Sequence, residues 1–253
     1  MYKTTIDLFE KLAIDTWERL KYGEELNCSQ SEETITDINL LEIKRANLHD
    51  ILVSKSDKYE EGITGIDWEW WIGSNSTGWW RYAVQAKKLS ENRKYNKLRH
   101  RVGQEYQIDI LERYSKSNNC IPLYCFYNYI DDNMLNKNWH CYLPFEKEQL
   151  GCTVVPLDSV RKAFTLRADK SFSALHSDFR SIPWRCLVRC PDFLVDINKN
   201  SSHPLASIGY EKVRPYKINL SNVTSESILN SEFYNHEIEI LPKRIMIIQT
   251  EDH

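Results

Sequence analysis

The sequence predicts an α/β fold in which a mixed β-sheet is flanked by helices. Three observations support this prediction: apolar residues at helical spacing near the start, an aromatic β-hairpin after them, and short apolar segments alternating with helical ones beyond it. The chain has 253 residues, 42% of them hydrophobic, which is enough to bury a large core. We expect residues 1–130 to form a core unit and residues 131–253 to complete or extend the same domain.

Four segments are predicted to be helical. The first is indicated by apolar residues three or four positions apart, namely Ile6, Phe9, Ala13, Trp17 and Leu20. Ser29 and Glu32 form a capping box ahead of a second helix, which we expect at residues 30–53. Two further helices are expected at residues 90–116 and 156–168.

A β-hairpin is predicted at residues 66–87, with a loop of turn-forming residues at 73–78. Because side chains alternate between the two faces of a strand, its apolar face would consist of Trp68, Trp70, Ile72, Tyr82, Val84 and Ala86. Pairing the strands on that face brings Asp67, Gln85 and Lys87 together on the other. Further strands are expected at residues 121–128, 151–156, 183–190 and 245–248.

The three polar hairpin residues suit metal-assisted hydrolysis of a phosphodiester bond. Mg²⁺ prefers oxygen ligands, commonly one or two carboxylates together with water and substrate phosphate. Asp67 supplies a carboxylate and Gln85 a neutral oxygen, while Lys87 can stabilise negative charge in the transition state. No glycine-rich phosphate loop is present, so the sequence gives little support to an NTPase.

A basic segment follows the hairpin, although the net charge of the chain is −3. Clustered cations in an otherwise acidic chain are typical of a local phosphate-binding face, and a solvated helix surface is the alternative. The nucleic-acid-binding residues predicted on this basis are Lys88, Arg93, Lys94, Lys97, Arg99 and Arg101.

Asp67 followed by Gln85-Ala86-Lys87 resembles the PD-(D/E)XK, restriction-endonuclease-like nucleases, in particular the Mrr-like branch, in which Gln replaces the usual acid before x-Lys. The segment around Glu33 is similar to the one that bears that family's helix-borne metal-site glutamate. The resemblance covers roughly residues 29–130 and implies a restriction-endonuclease-like fold. It also implies Glu33, Asp67, Gln85 and Lys87 as catalytic residues, the first three as ligands of Mg²⁺, with Mn²⁺ as a substitute.

The same resemblance implies an endonuclease that acts on nucleic acid, with double-stranded DNA favoured, in bacterial restriction or anti-phage defence. A homodimer, and activation by a partner protein or a signal, are further expectations. If Glu33 is not in place, Glu32 or Asp37 could substitute for it. The alternative from another class is a catalytically degenerate module that binds nucleic acid or a protein without cleaving. Such a module should tolerate Gln85→Ala.

The seven cysteines and the tryptophan cluster add weaker predictions. In a cytoplasmic protein, as we expect here, the cysteines are reduced and mostly buried, and a structural zinc site at Cys186, Cys190 and His176 is disfavoured by its spacing. Trp71, Trp79 and Trp80 are candidates for contacts with bases or with a partner. No apolar run is long enough to cross a membrane.

Overall fold

A seven-stranded mixed sheet organises the chain, as the predicted α/β class requires. The structure is a computed structural model, and it describes residues 3–55, 66–76, 78–132, 135–190, 193, 203–205 and 243–250. The strands in these ranges are β1 (Ile51–Lys55), β2 (Trp68–Ser74), β3 (Gly78–Lys88), β4 (Arg101–Val102), β5 (Glu105–Tyr106), β6 (Ile121–Tyr127), β7 (Cys152–Pro156), β8 (Ile182–Pro183) and β9 (Arg244–Gln249). The spatial order in the main sheet is β1-β9-β2-β3-β6-β7-β8, and β4 pairs with β5 separately.

The helices cover this sheet on both sides. They are α1 (Thr5–Glu25), α2 (Glu32–Ala46), α3 (Gln107–Ser117), α4 (Leu157–Lys162), α5 (Phe172–Leu175) and α6 (Cys186–Arg189). α2 begins after Ser31, whose hydroxyl accepts a hydrogen bond from the Thr34 N–H at 3.1 Å. The cap is therefore Ser31 rather than Ser29. None of the described helices has the length and hydropathy that crossing a bilayer requires.

The hairpin prediction is confirmed, and its two strands pair Trp68 with Val84 and Trp70 with Tyr82. The strands extend to Ser74 and from Gly78, so the loop is shorter than the sequence suggested. β2 is parallel to β9 on one side, and β3 is parallel to β6 on the other. The hairpin thus lies in the middle of the sheet, and every residue of β2 is buried.

Each face of the sheet packs against its own hydrophobic cluster. The face predicted to be apolar packs residues such as Trp68 and Val84 against α1 and α2. The opposite face packs Ala83, Tyr124 and Phe126 against α3 and α4. The polar hairpin residues therefore occupy one end of a face that is otherwise core, which the hairpin pattern alone did not predict.

The predicted second helix is only partly helical. α2 ends at Ala46 because Asn47 adopts a left-handed conformation with a φ of 49°. Residues 51–55, assigned to that helix from sequence, form β1 and pair antiparallel with β9. A short apolar segment suits either element, and the strand partner that decides the matter comes from the far end of the described chain.

Three other element predictions are also partly wrong. In place of a helix at 90–116, a 3₁₀ turn at Asn96–Arg99 and the β4–β5 pair precede α3, which begins only at Gln107. The helix expected at 156–168 ends at Lys162. The strand expected at 183–190 is reduced to β8, and α6 follows it.

Candidate active site

Asp67 is fixed by backbone hydrogen bonds at the start of the hairpin. Its N–H donates to the Val84 carbonyl at 2.9 Å, which sets it beside Gln85 on the neighbouring strand. Its Oδ2 accepts hydrogen bonds from the Ala86 N–H at 2.8 Å and from the Gln85 amide. Within the described part of the chain, Oδ1 accepts no hydrogen bond and is available to a ligand.

Gln85 presents an unused oxygen. Its side chain is buried, with 1% exposed, and Nε2 donates to Asp67 and to the Ala86 carbonyl at 3.2 Å. These two acceptors determine the orientation of the amide, and they leave Oε1 with no donor among the described residues. A buried carbonyl oxygen without a partner is costly and uncommon, so it is expected to receive a donor or a cation that the described residues do not supply.

Lys87 is the third member of the group. It lies two residues after Gln85 on β3 and so on the same face of the strand. It is 3% exposed, and its Nζ lies 3.5 Å from Oε1 of Glu32 in the first turn of α2. Asp67, Gln85, Lys87 and Glu32 therefore combine two carboxylates, an amide oxygen and an ammonium group, brought together by three elements. Among the acids of α2, Glu32 is the one in contact with the lysine.

The two neighbouring acids of α2 are bound to other cations. Glu33 has a side chain that is 57% exposed, and it forms an ion pair with Lys243 and lies 3.9 Å from Arg244. The hydrogen bond from Lys243 lowers the pKa of Glu33. Asp37 binds Nε of Arg244 at 3.0 Å and also Lys55. Glu33 thus stands at the rim of the site, and Asp37 does not line it.

These residues surround a cavity of about 250 Å³, referred to below as the Asp67 cavity. Its lining is Glu32, Glu33, Thr36, Asp67, Gln85, Ala86, Lys87, Lys97, His100, Gln107 and Arg244. Sequence reasoning missed Thr36, His100 and Arg244. Arg244, which is 1% exposed, approaches the Asp67 carbonyl at 3.4 Å from 177 positions further along the chain, so no local spacing could have indicated it.

The predicted basic face is dispersed, and only Lys97 of its six members lines the Asp67 cavity. Lys88 points to the opposite face of β3 and donates to Ser29 Oγ at 2.6 Å and to the Gln30 carbonyl at 2.7 Å. Burial lowers the pKa of Lys88. Arg93 binds Glu24 at 2.8 Å. Both residues therefore have partners within the protein, and their role in nucleic-acid binding stays a prediction.

Arg99, Arg101 and Lys94 complete the basic segment. Arg99 and Arg101 each donate to the Tyr106 hydroxyl at 2.8 Å, and these bonds lower the pKa of that phenol. Lys94 is exposed, and its backbone forms an isolated antiparallel β-bridge with Ser171. None of the three lines the Asp67 cavity.

The tryptophans proposed for base contacts are part of the core. Trp71 and Trp79 are 2% and 0% exposed, and Trp80 is 9% exposed. Trp71 donates to Glu69 at 2.7 Å, and Trp80 packs edge-on against His203. Their rings have no free face of the kind on which a base stacks, so this prediction is wrong.

The model of one protein family matches residues 5–253, nearly the whole chain. The chain belongs to the DUF6615 family. That family is described as one of unknown function, so membership assigns no chemistry to the cavity. No curated protein matches the chain significantly.

In this member of the DUF6615 family, the residues around Asp67 fit a hard divalent cation. Asp67 and Gln85 each present an unused oxygen, and Glu32 supplies a second carboxylate to the lining of the same cavity. Carboxylate and amide oxygens are the ligands that Mg²⁺ prefers. The negative charge of Glu32 also acts on Asp67, since it contributes to raising the Asp67 pKa.

The pKa of Asp67 is raised, mainly by burial, although Lys87 and the Ala86 N–H oppose the shift. A carboxyl with a raised pKa binds its proton more tightly in the folded than in the unfolded chain. Its contribution to stability is therefore present at low pH, and it is lost as the pH rises from the ordinary value through the folded one. When no cation is bound, ionisation of Asp67 is therefore expected to destabilise this DUF6615 chain.

We therefore expect Asp67→Asn to raise the melting temperature at neutral pH in the absence of divalent metal. The Asn side chain still accepts from the Ala86 N–H and carries no charge at any pH. In thermal unfolding followed by circular dichroism, the stability difference from the wild type should widen as pH rises from about 4 towards 7. A variant that is less stable than the wild type by the same amount across that range would contradict the explanation.

Proposed function

We propose that this chain is a Mg²⁺-dependent endonuclease that hydrolyses phosphodiester bonds of nucleic acid, with DNA favoured over RNA. The observation that carries the proposal is the Asp67 cavity. There, adjacent strands present a carboxylate, an unpartnered amide oxygen and a buried ammonium group. The resemblance of Asp67 and Gln85-x-Lys87 to the Mrr-like PD-(D/E)XK nucleases supports the same chemistry. A role in restriction or anti-phage defence stays a prediction from that resemblance.

Asp67 and Gln85 would hold the cation through Oδ1 and Oε1, with Glu32 as the second acid. When bound, Mg²⁺ acidifies a water molecule and neutralises charge on the phosphoryl oxygens. Gln85 also positions Asp67, because its Nε2 and the Ala86 N–H both donate to the same carboxylate oxygen. With Mn²⁺, which also accepts oxygen ligands, the same residues should serve.

Lys87 stabilises the negative charge that develops on the phosphoryl group. Its ammonium is almost fully buried, and the attraction between charges is stronger there than in water. Glu32, 3.5 Å away, keeps Lys87 Nζ in the cavity in the absence of substrate. That separation is long for a charged hydrogen bond, so substrate oxygens can compete for the ammonium protons.

The substrate backbone is expected to enter beside Lys97 and His100. Both line the cavity and are exposed, whereas the other basic residues of the segment do not reach it. Gln107 also lines the cavity, and its Oε1 has no hydrogen-bond partner among the described residues. A hydroxyl or amino group of the nucleic acid is a suitable donor to it.

The test is a cleavage assay on plasmid DNA, linear DNA, single-stranded DNA and RNA, each with Mg²⁺, Mn²⁺ or EDTA. We expect cleavage only with metal, and none from Asp67→Asn. Binding of these substrates with no cleavage under any metal condition would overturn the enzymatic proposal. It would favour the non-cleaving module considered from the sequence, particularly if Gln85→Ala bound equally well.

Two adjacent acids of α2 provide a matched pair of variants within the same assay. Glu32→Gln should reduce cleavage about 10- to 100-fold, because Glu32 is the acid that faces Lys87 and Asp67. Glu33→Gln should retain most activity, because Lys243 already binds that side chain. If only Glu33→Gln inactivated the protein, the assignment taken from the resemblance would replace the one favoured by the geometry.

A further inference from the structure

Three cysteines meet at a position that shares no residue with the Asp67 cavity. Cys186 is the first residue of α6, and Cys190 directly follows that helix. Cys141 comes from a separate loop between the 3₁₀ turn Leu135–Asn138 and β7. All three sulfur atoms lie within 4.8 Å of one another, and Cys141 Sγ is 3.9 Å from Cys190 Sγ.

These spacings suit a shared metal ion better than a disulfide. Zn²⁺ binds thiolate sulfurs at about 2.3 Å in a tetrahedral arrangement, which places neighbouring sulfurs roughly 3.8 Å apart. The Cys141–Cys190 separation of 3.9 Å is close to that value. A disulfide needs sulfurs about 2 Å apart and would leave the third thiol unpaired.

Arg185 provides the charge that a cluster of thiolates requires. It is 1% exposed, and its Nη1 binds Glu10 and Glu146, each at 3.1 Å. Its Nε and Nη2 have no hydrogen-bond partner in the described residues. Because Arg185 directly precedes Cys186 in the chain, its positive charge lies beside the group and favours the thiolate form.

His176, the third ligand considered from the sequence, is not available to this group. It is fully buried, with Nε2 2.8 Å from the Thr153 hydroxyl and Nδ1 2.9 Å from the Phe172 carbonyl. Burial lowers the pKa of His176 to about 3. The ligand that the sequence did not indicate is Cys141, because it lies 49 positions before Cys190.

We propose that Cys141, Cys186 and Cys190 bind one Zn²⁺ ion through three thiolates, with the fourth coordination position left to a water molecule. No fourth Cys, His, Asp or Glu joins the cluster in the ranges that the structure describes. Three thiolates and Zn²⁺ carry a net charge of −1, and the guanidinium of Arg185, which it shares with Glu10 and Glu146, is the cation next to them. The ion would link the Cys141 loop to α6, and the binding of Arg185 and Arg189 to Glu10 extends this connection to α1.

The test uses the full chain, freed of metal by a chelator under reducing conditions and then titrated with Co²⁺. We expect a thiolate-to-cobalt charge-transfer band and tetrahedral d–d bands that saturate at about one ion per chain and disappear when Zn²⁺ is added. Oxygen ligands at Asp67 cannot produce the charge-transfer band, so binding at the other site is distinguished. Cys141→Ser should weaken the band and lower zinc affinity at least tenfold, and Cys120→Ser, which changes a buried thiol elsewhere, should do neither.

Elemental analysis of the purified wild type, expressed with added zinc, gives an independent reading. Retention of about one zinc per chain, and a fall in melting temperature when it is removed, would support the site. A wild type that shows no charge-transfer band with Co²⁺ would overturn it. So would a mass that reveals a disulfide within the cluster, or an equal loss of the band in Cys120→Ser.

Discussion

Lys87→Met is expected to lower the rate of phosphodiester cleavage about 10²- to 10³-fold, the usual effect of removing one group that stabilises transition-state charge. The same variant should keep its response to Mg²⁺, seen as a rise in melting temperature. Removing the ammonium withdraws a positive charge from beside Asp67 and Glu32, so their attraction for a cation is not reduced. Loss of catalysis with retention of metal binding would identify Lys87 as acting on the substrate.

Lys88→Met is the matched control, because Lys88 is the adjacent residue on the opposite face of β3. Its Nζ is bound by Ser29 and the Gln30 carbonyl, away from the Asp67 cavity. We expect its cleavage rate to stay within a few-fold of the wild type, once the fraction of folded protein is taken into account by thermal unfolding. Equal losses in both variants would show that Lys87 has no special part in the reaction.

Glu69→Gln is expected to cause the largest loss of stability, about 3–5 kcal/mol, because it leaves a buried cation without its counter-ion. Glu69 is 0% exposed, and Arg81 binds it through Nε at 2.7 Å and Nη2 at 3.0 Å. Trp71 and Tyr114 donate to the same carboxylate at 2.7 and 2.8 Å. In a chain of this length the melting temperature should fall by on the order of 10 °C.

Glu105→Gln removes the acid of an ion pair on the surface, and it is the control for the buried pair of Glu69. Glu105 also forms a two-pronged ion pair with an arginine, Arg113, at 2.7 and 2.9 Å, but both side chains are more than half exposed. Since water solvates both charges in either state, we expect little change in the melting temperature. If the two variants lost similar stability, burial would not be the reason for the importance of Glu69.

The sequence predicted the hairpin and its polar trio because both depend on local rules. Alternation along two strands joined by a short turn determines which side chains share a face, so Asp67, Gln85 and Lys87 could be grouped without long-range information. The choice between Glu32 and Glu33 is harder. Consecutive side chains of a helix point about 100° apart around its axis. From sequence, the start of α2 is uncertain by more than one residue, so the acid that faces the cavity could not be identified.

The failures have physical causes as well. The basic segment was treated as one surface, yet Lys87 and Lys88 point to opposite faces of β3, and Arg93 binds α1 through Glu24. Arg244 and Cys141 reach their sites only through tertiary contacts, which periodicity does not report. β1 was assigned to a helix because its strand character depends on β9.

The position of β9, between the edge strand β1 and β2, ties the Asp67 cavity to the order in which the chain is synthesised. Among the described strands, β9 comes last in the sequence, yet it lies between β1 and β2, and it brings Arg244 to the Asp67 backbone. A nascent chain that has not yet released residues 244–249 from the ribosome therefore has an open edge on β2 and an incomplete cavity. Under the proposed function, cleavage therefore requires β9 to be in place, and a chain still being synthesised would lack a complete cavity.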